Sequence, residues 1–142
     1  MEIRLSGHSA YHTEYHIVWI PKYRYRVLNP GVKAYLVKLF PKVMVELPGC
    51  EIVKYSIQPD HIHMVIIIPP KYAVSAVVGK IKGMTSSQIR KKFGWMKLRY
   101  SRESVVWSPG YFVSTVGVER ERILRYVEYQ ERQDSGQAKL EM

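Results

Sequence analysis

The stretch "HIHMVIIIPP" (61–70) constrains the fold more than any other part of the chain. In a β-strand, alternate residues point to opposite faces. Met64, Ile66 and Ile68 then share one face, and Val65 and Ile67 the other. Both faces are apolar, which marks a strand in the middle of a sheet and covered on both sides. His61 and His63 share a face and sit where this strand leaves its apolar run, while Ile62 points the other way. No apolar stretch reaches the ~18 residues of a membrane span.

Flanking segments supply the other elements. "YHTEYHIVWIPKY" (11–23) is β-branched and aromatic up to Pro21, predicting a strand over 11–20. "NPG" (29–31) turns the chain. Val32, Tyr35, Leu36, Leu39, Phe40 and Val43 then recur at helical spacing, predicting a helix over 32–47. Pro41 interrupts it and predicts a kink or a restart. "LPGC" precedes a strand over 50–57, and "QPD" turns it into the strand over 61–68. Val74, Val77, Val78 and Ile81 define a second helix with a basic end at Arg90, Lys91 and Lys92, stopped at Gly94. "YFVSTVG" (111–117) reads as a fourth strand. "VERERILRYVEYQERQ" (118–133) reads as a last helix with acidic residues toward its N-terminal dipole. Residues 134–142 read as a flexible tail. This order is the split βαβ arrangement: an α+β, ferredoxin-like antiparallel sheet with helices on one side and one helix appended, in a single domain spanning 1–142.

With 22 Lys and Arg against 12 Asp and Glu, the chain carries a formal charge of +10, which favours a polyanionic partner. Lys22, Arg24 and Arg26 alternate with tyrosines in "PKYRYRVL" (21–28), where rings could stack on bases. The same pattern also suits an edge strand. Lys80, Lys82, Arg90, Lys91 and Lys92 extend the basic set. The single cysteine, Cys50, permits no internal disulfide, and no basic-then-apolar leader opens the sequence. The expected setting is a reducing cytoplasm.

Two imidazoles on one face, with the Asp60 carboxylate adjacent, suit a divalent cation that keeps positions open for substrate oxygens. In the last helix, Tyr126 and Gln130 lie at i and i+4, as a nucleophile and a further oxygen ligand would. Tyr129 and Gln133 share that spacing, so spacing alone does not choose between the pairs. A tyrosine packing against the sheet, or histidines that only hydrogen-bond their neighbours, would also fit.

The segments "YHIVWIPKYRYRVL", "PDHIHMVIIIPP", "WSPGYFVSTVG" (107–117) and "RYVEYQ" (125–130) cover most of the chain. In this order they resemble the single-tyrosine transposases of the HUH class (His, hydrophobic residue, His), the TnpA enzymes of the smallest bacterial and archaeal insertion sequences. The resemblance selects Tyr126 as nucleophile and Gln130 as ligand. It implies a ferredoxin-like homodimer that binds single-stranded DNA hairpins at the element's ends and uses Mg²⁺ or Mn²⁺. Strands would be cut and rejoined through a 5′-phosphotyrosine intermediate. It also implies composite active sites, the histidines of one chain meeting the tyrosine of the other, with Gly117 as the hinge. A domesticated relative acting on dispersed chromosomal palindromes would share these features. A plain nucleic-acid-binding module on the same fold would need neither metal nor tyrosine, and a water-using His-x-His hydrolase would leave Tyr126 dispensable.

Overall fold

A computed structural model describes residues 3–6, 9–101, 105–117 and 120–134. Four antiparallel strands form the main sheet: β3 (Glu14–Trp19), β4 (Glu51–Gln58), β5 (His61–Ile67) and β6 (Phe112–Val116). Their spatial order is β4-β5-β3-β6, which is the ferredoxin-like topology expected from the element order. Strand β5 lies inside the sheet with its residues from Ile62 onward buried, as its two apolar faces require. A short hairpin, β1 (Arg4–Ser6) with β2 (Ser9–Tyr11), precedes the sheet and ties to β4 through an Arg4–Glu51 ion pair.

Helix α1 (Pro30–Val45) starts where Asn29 accepts a hydrogen bond from the Val32 amide at 2.9 Å, with Pro30 in the first turn. It starts two residues earlier and ends two earlier than its apolar periodicity suggested. The helix runs through Pro41 without a restart. Pro41 and Val37, whose carbonyl loses its donor, both lie on the exposed side of the helix, where water can satisfy that carbonyl. Helix α2 (Val74–Lys92) packs beside α1. Gly94 does not simply stop it: Phe93 breaks the α2 geometry, and Gly94 opens a further short helix, α3 (Gly94–Arg99).

One face of the sheet carries the main core. Leu36 and Phe40 of α1 and Val78 and Ile81 of α2 pack there on Ile17, Ile62, Met64 and Ile66. Burial of these side chains is the principal stabilising term. Leu36→Ala should therefore cost about 2–5 kcal/mol in chemical denaturation. Val37→Ala, one position along on the exposed side, should change stability by about 0.5 kcal/mol or less.

Helix α4 (Arg120–Asp134) covers the opposite face, mainly over β4. Its apolar contact is small: Val127 buries against Val65 and Val116, with Ile123, Leu124 and Val53 around them. A bulge between Ile52 and Lys54 leaves Val53 unpaired, and both Val53 and Lys54 then address α4. Polar links complete the docking. Arg120 Nε donates to both oxygens of the buried Glu14 carboxylate at 3.0 Å, and Lys54 pairs with Glu128 at 2.7 Å. The Ile57 amide donates to Glu131 at 3.1 Å. Among the described residues no helix is long and apolar enough to cross a membrane. The tail expected over 134–142 lies outside the described residues except for Asp134, which ends α4.

Candidate active site

Strand parity places His61, His63 and Val65 of β5 on the α4 side, and the register of β3 against β5 adds a third imidazole there. Val18 pairs with His63 and His16 with Val65, so His16 and His63 sit diagonally on one face. Their Nε2 and Nδ1 atoms, respectively, are 3.0 Å apart. The two rings are nearly coplanar, 14° apart with centroids at 5.3 Å.

His61 is held differently. Its Nδ1 lies 2.8 Å from Asp60 Oδ1, and the other carboxylate oxygen accepts from Arg24 Nε at 3.1 Å. Arg24 reaches Asp60 from a tight 3-10 turn, Lys22–Arg24, rather than from the edge strand that the alternation of 21–28 allowed. Tyr23 and Arg24 both adopt positive φ, 60° and 53°, which costs a non-glycine residue on the order of 1–3 kcal/mol and is typical of functional sites. Burial alone would push the Asp60 carboxyl up. His61 and Arg24 outweigh it and hold the group below its ordinary value.

Tyr126 stands over this pair. Its ring centroid is 5.3 Å from that of His63 and 6.4 Å from that of His16, edge-on in both cases. At 47% exposure the ring remains open to a substrate. Tyr129, three residues on, points about 60° around the helix from Tyr126, and among the described residues the tyrosine ring contacts to His16 and His63 are those of Tyr126. Gln130 is anchored beside the histidine strand: its backbone carbonyl accepts from Gln58, which pairs with His61 across β4 and β5. The side chain of Gln133 lies outside the described set.

The electrostatics suit ligation. Burial pushes His63 down to about 4, with the charges of His61 and His16 acting in the same direction. Burial also lowers His16. These two rings are therefore neutral at neutral pH, the form in which imidazole offers a lone pair. Both Nδ1 atoms of the His61–His63 pair are engaged, which directs their Nε2 atoms to any ligand. Among the described residues no three His, Cys, Asp or Glu side chains form a complete metal cluster, so two imidazoles would need an oxygen from Gln130 or from substrate. Asp60 sits behind His61 and orients its ring.

The basic residues divide. Arg26, Lys80 and Lys91 are exposed and Lys22 is half-buried. Lys82 donates to the Ser108 and Gly110 carbonyls at 2.8 and 2.7 Å, clamping the loop before β6, and its burial lowers its pKa. Arg90 donates to the Tyr100 carbonyl at 3.5 Å, and Lys92 lies over the Tyr35 ring. The α2 residues flank the core layer, across the sheet from Tyr126. His16 was not singled out by sequence reasoning. Its alternation with Ile17 and Trp19 puts it on the non-core face, but only the strand register brings it to His63.

Paired imidazoles facing a helix-borne phenol, on a ferredoxin-like sheet in a basic protein, fit the class of tyrosine transposases of the HUH type. The family model described as "Transposase IS200 like" matches residues 9–130. The transposase for insertion sequence element IS200 of Salmonella typhimurium is 35% identical over 128 residues, covering 90% of this chain and 83% of that protein. The ISDra2 transposase TnpA of Deinococcus radiodurans is 27% identical over 131 residues, covering 92% of each. A crystal structure of a transposase candidate from Deinococcus radiodurans R1 superposes with a TM-score of 0.71 at 27% identity, over 89% of this chain and 98% of that one. A REP-associated tyrosine transposase bound to a REP hairpin shares the fold, with a TM-score of 0.61 at 16% identity, over 95% and 77% of the two chains. The chain belongs to the IS200-like transposase family.

Proposed function

We propose that this transposase binds hairpins in single-stranded DNA at the ends of its insertion sequence, and cuts and rejoins strands through a 5′-phosphotyrosine link on Tyr126. The observation that carries this reading is the Tyr126 ring, half-exposed and 5.3 Å from that of His63, over the face on which the histidine pair leaves its Nε2 atoms free. The hairpin bound by the distant REP-associated relative supports the substrate class, and the charge of +10 supports a DNA partner; the setting in which such an enzyme would act is the prokaryotic cytoplasm.

His61 and His63, with Gln130, would hold Mg²⁺ or Mn²⁺; nitrogen donors favour Mn²⁺, whereas Mg²⁺ prefers an all-oxygen shell. Such a cation supplies Lewis-acid stabilisation of charge on a scissile phosphate. Asp60 and Arg24 keep His61 in one orientation. Tyr126 Oη loses its proton and attacks phosphorus; the bond from phosphorus to the 3′ oxygen breaks, and that oxygen leaves as a 3′-hydroxyl. The phosphodiester's energy is retained in the Tyr126 ester, so a second 3′-hydroxyl can reverse the step and join a new strand. Exposed Arg26, Lys80 and Lys91, with Lys22, would meet phosphates, which provide affinity without reading sequence.

The working form is a homodimer with composite sites. Here α4 docks on its own sheet through one small apolar cluster and ion pairs. A second copy presents an identical surface, so moving α4 across loses no type of contact. Gly117 has open space around its Cβ position and no positive φ, so this docked state does not itself require glycine there. A hinge that must also adopt a second conformation gains from the wider range of backbone angles open to glycine.

The test is a denaturing gel of protein with labelled hairpin DNA and Mn²⁺. A DNA–protein band that survives boiling in detergent, with release of a 3′-hydroxyl fragment, is expected. Cleavage without any covalent band would replace this mechanism by hydrolysis.

A further inference from the structure

We infer that His16 is a positioning residue: it accepts a hydrogen bond from His63 Nδ1–H and so holds His63 with its Nε2 lone pair toward the cation. The inference rests on the metal reading of His61 and His63 above, and extends it to a residue on another strand.

The geometry admits few alternatives. With 3.0 Å between His16 Nε2 and His63 Nδ1, and ring planes 14° apart, the rings meet edge to edge in one plane, as an N–H···N bond requires. One nitrogen donates and the other accepts. If His16 donated, His63 would carry its proton on Nε2 and could not ligate through it. If His63 donates, Nε2 is free, which matches the arrangement of His61, whose Nδ1 faces the Asp60 carboxylate. Two histidines of one motif thus have their Nδ1 atoms satisfied by different partners, a carboxylate for one and a neutral imidazole for the other.

His16 is itself confined. Phe112 of β6 meets its ring edge-on at 6.4 Å on one side and Tyr126 at the same distance on another. The β3 register fixes its Cα opposite Val65. A ring held by backbone pairing on both sides of β3 has little freedom to follow His63, so it can impose an orientation on it.

The test measures Mn²⁺ binding to the full chain by calorimetry, without DNA, for wild type and for His16→Leu, His16→Asn and His16→Gln. A glutamine amide reaches about where the histidine Nε2 lies, whereas asparagine falls short. His16→Leu and His16→Asn should bind Mn²⁺ roughly 10–100-fold more weakly, the usual loss when the partner of a ligating histidine is removed. His16→Gln should recover most of the affinity. Nitrogen-15 NMR should show wild-type His63 protonated on Nδ1. Wild-type affinity in His16→Leu, or equal affinity in the Asn and Gln variants, would overturn the inference, as would a proton on His63 Nε2. Should His16→Leu not fold, the contrast between Asn and Gln decides alone. A His63→Ala control separates the two levels: unchanged Mn²⁺ binding in that variant would sink the metal reading itself.

Discussion

Tyr126→Phe should eliminate the covalent DNA adduct and lower strand cleavage on the order of 10⁴-fold or more, the scale seen when a covalent nucleophile is removed. The variant loses one hydroxyl from a half-exposed ring, and its edge-on packing against His63 and His16 uses the ring alone. Folding and hairpin binding should therefore be retained. Tyr129→Phe should still form the adduct. Both helix positions have a glutamine four residues on, so the pair of variants tests the choice made by geometry, in which, among the described residues, Tyr126 rather than Tyr129 meets the histidines edge-on. Mass spectrometry of the trapped complex identifies the labelled tyrosine; a phosphodiester on Tyr129 would shift the nucleophile by about one helical turn.

His63→Ala, or excess chelator on the wild type, should lower cleavage about 10³-fold or more, because the stabilisation a cation gives to phosphate charge amounts to several kcal/mol. Hairpin affinity measured by gel shift should change little, since it resides in basic contacts away from the pair. Undiminished cleavage in chelator would exclude a metal-dependent route. The same variant also probes the composite site. His63→Ala and Tyr126→Phe chains, each inactive, should regain cleavage when mixed under conditions of subunit exchange, with DNA attached only to the His63→Ala chain. No rescue in proven heterodimers would place histidines and tyrosine within one chain, as they lie in the docked state of α4.

The elements that carry the site were readable because each has a local signature. "HIHMVIII" gives β5 its double-sided burial, and the i, i+4 spacing gives α4 two tyrosine–glutamine pairs, between which the family resemblance selects Tyr126 and Gln130. Other features had none. The 21–28 segment alternates like a strand, yet Tyr23 and Arg24 take positive φ and curl it into a turn from which Arg24 meets a carboxylate 36 residues away. Gly94 looks like a helix stop, but the chain turns at Phe93 and starts again. Pro41 looks disruptive, but lies where the helix faces solvent.

By itself the sequence determined the order of elements, the apolar faces that bury one another, the positive charge, and the identities of the two strand histidines and the helix tyrosines. These follow from periodicity and chemistry within short segments. Only the tertiary structure decided that His16 meets His63, that Arg24 and Asp60 stand behind His61, and that Tyr126 rather than Tyr129 overlies the pair. Those relations depend on strand register and on how a helix rotates as it docks. A slip of one residue or a turn of the helix would change each of them while leaving every local pattern intact.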